Sequence, residues 1–174
     1  MRKFFWFALV LMFTGQVIIA QNNFKPGALT AAVISSDTQK SLHFYKDLLG
    51  LQDAGGFTID STFAKRLGLS DGVAFDVVLL KFSDSEDSSQ LKIVSFEEQE
   101  DFNTEEVKTT IQQQLGLQYL TLQVYSLDPI MARLKKEGVL PQAETPLDLG
   151  NGNFLILLKD PDGVFVEIIG SLTQ

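Results

Sequence analysis

The sequence predicts an α+β fold in which one order of elements occurs twice. Residues 28–35 suit a short strand, Asp37 is placed as a helix N-cap, and a helical run reaches Leu49 before Gly50 ends it. In the second half, LQYLTLQV (117–124) alternates cleanly, with Leu120, Leu122 and Val124 on one face and Tyr119, Thr121 and Gln123 on the other. A helix from about Leu127 to Glu137 follows, and Gly138 ends it. Each half then continues as strands.

From the N-terminus, Arg2 and Lys3 precede an unbroken apolar run from Phe4 to Phe13, and small and apolar residues lead to Ala20. This is the pattern of a cleavable signal peptide over residues 1–20, and it implies a secreted or periplasmic protein. An uncleaved membrane anchor needs about 20 apolar residues, and Thr14, Gly15 and Gln16 interrupt the run earlier. Ile18 is bulkier than the usual residue before a cleavage site, so cleavage is placed only near Ala20. No cysteine is available for a lipid anchor.

The first half, residues 28–96, adds strands at LQDAGGFTI, VAFDVVLLKF and QLKIVSF, with a short helix at STFAKRLG and a polar turn at DSEDSS (84–89). An acidic linker, part of it helical, fills 97–115. The second half, 116–171, continues with a weak strand near Val139, then NFLILLKD and VFVEIIG, the last two joined by the turn DPDG (160–163). GNGNF (150–154) is glycine-rich but precedes a strand. It lacks the helix N-terminus that a phosphate cradle needs and reads as a turn.

Composition narrows the function. Removing residues 1–20 takes away two basic residues and no acidic ones, leaving 12 Lys+Arg against 22 Asp+Glu and a net charge of −10. Such a surface repels nucleic acid and anionic lipid, so neither nucleic acid nor, after cleavage, membrane is an expected partner. The absence of cysteine excludes disulfides, thiolate catalysis and cysteine metal sites, and leaves apolar packing to hold the fold.

Two motifs at the ends of the mature chain point to one family. SSDTQKSLHFYKDLLGL (35–51) resembles the opening helix of the vicinal oxygen chelate superfamily, the glyoxalase, bleomycin-resistance and extradiol-dioxygenase group, whose modules read as D, a few residues, S, then FY and LG. LKDPDGVFVEII (158–169) resembles the closing hairpin of that family, where DP-G and a glutamate recur. The resemblance covers about residues 28–170. It implies two βαβββ modules paired around a shared groove.

Members that use a metal hold it on a histidine from the first strand of each module and a glutamate from the last, with open positions for substrate oxygens. Counting seven residues back from Asp37 gives Thr30, and the corresponding position of the second module is Tyr119. The last-strand glutamate is Glu167, while its first-module counterpart falls near Lys92. The one histidine, His43, cannot repair the set: at about 100° per residue it lies opposite the arc of Leu42, Phe44, Tyr45, Leu48 and Leu49, beside Lys40 and Asp47, and faces solvent. A site of two histidines and a carboxylate is therefore impossible, and no cofactor is expected. A hard-cation site built from carboxylates alone stays open.

Strand alternation and the resemblance together place Thr30, Ala32, Ile34, Lys92, Val94, Tyr119, Thr121, Gln123, Glu167 and Ile169 in the groove, a mostly apolar wall with a few polar groups. If the family geometry holds, Lys92 and Glu167 both point to the former metal centre and form an ion pair there. Otherwise Lys92 reaches a solvent-facing edge and Glu167 is only hydrogen-bonded. The reading that follows is an exported protein binding a small, partly apolar molecule without the usual metal site. One alternative is an enzyme with Glu167 as general base and Tyr119 or Lys92 as acid or electrostatic stabiliser. Another is an interaction module whose acidic linker contacts a protein. Homodimerisation is implied by the resemblance. A Ser-His-Asp triad is not supported, because no serine neighbour in a groove is identified for His43.

Overall fold

The first strand, β1 (Thr30–Ile34), hands the chain to Asp37, whose carboxylate accepts from the backbone amides of Gln39 and Lys40, each at 3.1 Å. These donors satisfy the open end of helix α1 (Thr38–Leu42) and, with Lys40 nearby, hold Asp37 below the ordinary carboxylate range. The computed structural model describes residues 24, 25, 27, 29–96, 110–113 and 115–173. The leader expected over 1–20 and residues 97–109 and 114 of the expected linker lie outside the described residues. Of that linker, Ile111–Gln113 forms a 3-10 turn.

The expected single helix is two. After α1 the chain widens into a π-helical segment, His43–Leu48, with the Leu49 amide bonded to the Phe44 carbonyl at 3.0 Å. Phe44, Tyr45, Leu48 and Leu49 are buried, as the helical spacing requires. The strands β2 (Gln52–Ile59), β3 (Phe75–Lys81) and β4 (Gln90–Phe96) follow, with α2 (Ser61–Leu67) between the first two. The second module repeats the plan as β5 (Tyr119–Ser126), α3 (Asp128–Glu137), β6 (Leu147–Gly150), β7 (Asn153–Lys159) and β8 (Phe165–Ser171). Gly50 and Gly138 end the two helical runs at φ +93° and +69°, a backbone that side chains with a Cβ rarely adopt.

One strand differs from expectation. The segment around Val139 is not a strand; Val139 packs against the core, and the β6 strand lies at Leu147–Gly150. Pro141 and Pro146 restrict the intervening backbone, which meets β7 through single hydrogen bonds at Gln142 and Thr145, and the tight turn at Asn151 and Gly152 brings LDLG beside β7 as the paired strand. GNGNF is thereby a hairpin turn.

The two four-stranded sheets run β1-β4-β3-β2 and β5-β8-β7-β6. In each, the first strand pairs parallel with the last, and the other pairings are antiparallel. One face of each sheet contributes to a single core. Val33, Leu80, Leu91 and Ile93 come from the first sheet, Ile156, Leu158, Val166 and Ile168 from the second, and Tyr45, Leu48, Ile130 and Leu134 from the helices. A smaller cluster of Ala64, Phe75, Val77 and Val94 lies where α2 covers part of the other face of the first sheet. Among the described residues no helix is long and apolar enough to cross a membrane.

The two modules are also joined by polar contacts. Asp160, at the DPDG turn, takes the amides of Asp162 (3.0 Å) and Val164 (2.7 Å) on Oδ1, and the Tyr45 hydroxyl, 115 residues away in sequence, on Oδ2 at 2.8 Å. Asp162 accepts from the Ser36 amide at 3.1 Å and the Ser36 hydroxyl, and from Ser41 at 3.4 Å. Arg133 on α3 donates to the carbonyls of Leu48 (2.7 Å) and Leu49 (3.1 Å). Burial raises the Asp160 pKa above the usual 3.8, against the opposing effect of its hydrogen bonds, and burial beside Asp160 raises that of Tyr45.

Candidate functional site

The strand register puts the expected groove residues in equivalent places in the two modules. Across the first sheet Ala32 pairs with Lys92 and Lys92 with Leu79; across the second Thr121 pairs with Glu167 and Glu167 with Leu157. Lys92 and Glu167 thus occupy matching central positions, and Thr30 matches Tyr119 two residues earlier on the leading strand. All lie on the face of their sheet opposite the shared core.

Each set has its own chemistry. On the first sheet Thr30, Ala32 and Ile34 are exposed, Lys92 is half-buried, and Val94 is buried under α2 rather than open to a groove. On the second, Tyr119, Thr121 and Gln123 are exposed, while Glu167 and Ile169 are half-buried. The Thr121 hydroxyl donates to Glu167 Oε2 at 2.8 Å, and Oε1 takes no hydrogen bond among the described residues. Around this carboxylate the face is apolar, with Leu147, Leu155, Leu157 and Ile169 in register on the same side.

The expected ion pair between Lys92 and Glu167 is not formed. The Lys92 ammonium stands 5.9 Å from the centre of the Phe57 ring, and Glu167 is engaged by Thr121. No hydrogen bond or ion pair among the described residues joins the first-module set to the second-module set. The reason is topological: β1 and β5 are the outermost strands of two separate sheets and do not pair with each other. Two open depressions, of about 580 and 430 Å³, take no residue of either set; the first includes Lys65 and Arg66, the second Phe57 and Asp76.

The donor set at the family's metal positions is a threonine hydroxyl, a tyrosine phenol, an ammonium and one carboxylate. This does not fit a site of two imidazoles and a carboxylate, because only Glu167 offers an anionic ligand and Lys92 repels a cation. Among the described residues no group of three or more His, Cys, Asp or Glu side chains is placed to hold a metal ion. His43 is half-exposed and outside the sheet faces, as its helical position predicts. Its ring nitrogens are taken by Asp47 at 3.0 Å and Glu137 at 2.7 Å. The second of these contacts was not legible in sequence, since it depends on how α3 packs. The same holds for Phe57, whose ring accompanies Lys92; strand alternation through GGFTI was the available signal, but the register shift between Asp53 and Gly56 obscures it.

Two mixed four-stranded sheets, each built from a βαβββ module, define a paired-module α+β protein. The family model of the Glyoxalase/Bleomycin resistance protein/Dioxygenase superfamily matches residues 27–168, and the chain belongs to that superfamily. Solved structures agree in fold. A glyoxalase family protein from Bacillus cereus aligns with a TM-score of 0.66 at 15% identity, over 83% of this chain and 93% of its own. A glyoxalase/dioxygenase from Nostoc punctiforme aligns at 0.54 and 18% identity, over 89% and 96%. A glyoxalase/bleomycin resistance protein from a Streptomyces species aligns at 0.51 and 19%, over 80% and 96%. No curated protein matches the chain significantly.

Proposed function

We propose that this chain is an exported member of its superfamily that binds a small, partly apolar molecule against the open sheet faces, without the superfamily's His/Glu metal. The observation that carries this reading is Glu167: a half-buried carboxylate, positioned by Thr121 and set among leucines and isoleucine, with one oxygen that takes no hydrogen bond among the described residues. A few placed polar groups in an apolar wall suit a small ligand with one polar end. The pattern of residues 1–20 supports export.

Two copies associate, in this reading, so that the first-module face of one meets the second-module face of the other. Support comes from the apolar groups left uncovered in a single chain, with Ile34 46% and Tyr119 42% exposed, and from the opposite charges of Lys92 and Glu167 at matching positions. The absence of native cysteine gives a clean test: Lys92→Cys and Glu167→Cys in one chain should yield a disulfide-linked dimer on mild oxidation. Monomer by light scattering together with no cross-link would refute this part.

The ligand test is a thermal-shift screen against small carbonyl and thioester compounds, with and without divalent ions. Stabilisation by a compound, weakened at least tenfold by Tyr119→Ala, supports the reading. Stabilisation only by the ions, or by compounds indifferent to that substitution, overturns it. That oxygen of Glu167 also favours a second reading, a general base acting on the bound molecule. If Glu167→Gln keeps binding and abolishes turnover, the protein is an enzyme.

A further inference from the structure

The seam between the modules contains a contact that only one protonation state can satisfy. His43 Nδ1 lies 3.0 Å from Asp47 Oδ2, one turn on in its own helical segment, and Nε2 lies 2.7 Å from Glu137 Oε2, at the last residue of α3. Ionised carboxylates only accept hydrogen bonds. A neutral imidazole has a single N–H, so one of its two nitrogens would turn a lone pair toward a carboxylate oxygen; imidazolium donates to both.

On the two helical segments that meet here the other charged groups are Lys40, Lys46, Asp128, Arg133, Lys135 and Lys136. From the first-module helix, Lys40 pairs with Asp37 at 3.1 Å and Lys46 with Asp53 at 3.0 Å. From α3, Arg133 is committed to the carbonyls of Leu48 and Leu49. The charges acting on the ring are Asp47 and Glu137, and their hydrogen bonds raise its pKa above the ordinary 6.5 against a smaller opposing effect of burial. The seam therefore has a part that does not titrate near neutrality, at Arg133, and a part that does.

We propose that His43 is a proton-operated clasp between the two modules. Charged, it ties the end of α3 to the first-module helix; neutral, it has one N–H for two carboxylates, and the seam rests on Arg133, on the Tyr45–Asp160 and Ser36–Asp162 contacts and on the apolar core. Because protonation is favoured in the folded chain, the clasp's contribution is fully present below pH 6.5 and is lost as pH rises through the higher folded-state pKa.

With one histidine in the chain, an NMR titration of the purified protein reads a single imidazole. The expected result is a pKa above 6.5 that falls in Glu137→Gln, with the wild-type advantage in melting temperature over His43→Gln larger at pH 5.5 than at pH 8.5. A pKa at or below 6.5 in the wild type would overturn the clasp. So would a raised pKa unchanged by Glu137→Gln, which would make this a pair within one helix.

Discussion

Tyr45→Phe removes one oxygen from the centre of the module junction and leaves the ring in place. The Tyr45 side chain is fully buried and Asp160 is 5% exposed, so water cannot easily replace the lost donor at Asp160 Oδ2. The two backbone amides on Oδ1 remain. A hydrogen bond to a charged group contributes about 1.5–3 kcal/mol, and an acceptor left buried without a partner costs on the order of 1–3 kcal/mol. These describe the same loss, so the expected destabilisation is about 2 kcal/mol, or roughly 4–8 °C in melting temperature for a chain of this size. The deficit also depends on pH. Burial holds the folded Asp160 pKa above 3.8, so its ionisation erodes stability as pH rises through that value, and the Tyr45 bond opposes the shift. Without that bond the folded pKa rises further, and the deficit should be larger at pH 7 than at pH 4. Urea unfolding followed by far-UV circular dichroism measures both, since the only tryptophan is Trp6, in the expected leader. A deficit under about 0.5 kcal/mol, the range of ordinary surface changes, or one larger at pH 4, would refute the reasoning.

Two further substitutions separate packing from charge. A Cβ at Gly170 would meet Val124 Cγ2 and the Val124 carbonyl oxygen, both at 2.7 Å, and the backbone atom cannot swing away. Gly170→Ala should therefore cost about 1–3 kcal/mol by overpacking, read as a lower urea midpoint; an unchanged midpoint would mean that β5 and β8 approach less closely. Lys92→Ala removes a cation at 5.9 Å from an exposed ring and, among the described residues, no ion pair, so at low protein concentration its cost should stay within about 1 kcal/mol. A loss of several kcal/mol would restore the buried Lys92–Glu167 pair.

The residues that could be read from sequence are those whose neighbours are local. The first-module helical run follows from Asp37, the apolar arc and Gly50, and α3 from its apolar spacing and Gly138. The equivalence of Lys92 and Glu167 follows from the family resemblance, which puts both at the last-strand position of their modules. The π-helical turn at His43 leaves no such trace, because adjacent Phe44 and Tyr45 are buried in either geometry. The β6 strand escaped because LDLG is only four residues long and exposed along its whole length, so the alternation of Leu147 and Leu149 is too short to mark a strand; the turn that follows it was the better signal. Whether Lys92 meets Glu167 is not a property of either strand at all. It depends on which edges of the two sheets are joined, and β1 and β5 are not.

The two family motifs explain each other once the modules are seen together. DPDG shapes its own hairpin through Asp160 Oδ1, and the carboxylate's other oxygen is held by Tyr45 of the opening helix. Asp162 in turn fastens Ser36, just before the Asp37 cap. The aromatic pair and the turn are therefore two halves of one junction, and neither residue set is fully satisfied without the other module. Such a junction fixes the register of β1 and β8 relative to the common core, and with it the places of Lys92 and Glu167 on the opposite faces. If the faces bind a ligand as proposed, a substitution at Tyr45, Asp160 or Asp162 should disturb that binding on both faces at once, whereas Tyr119→Ala should affect only the face that carries it.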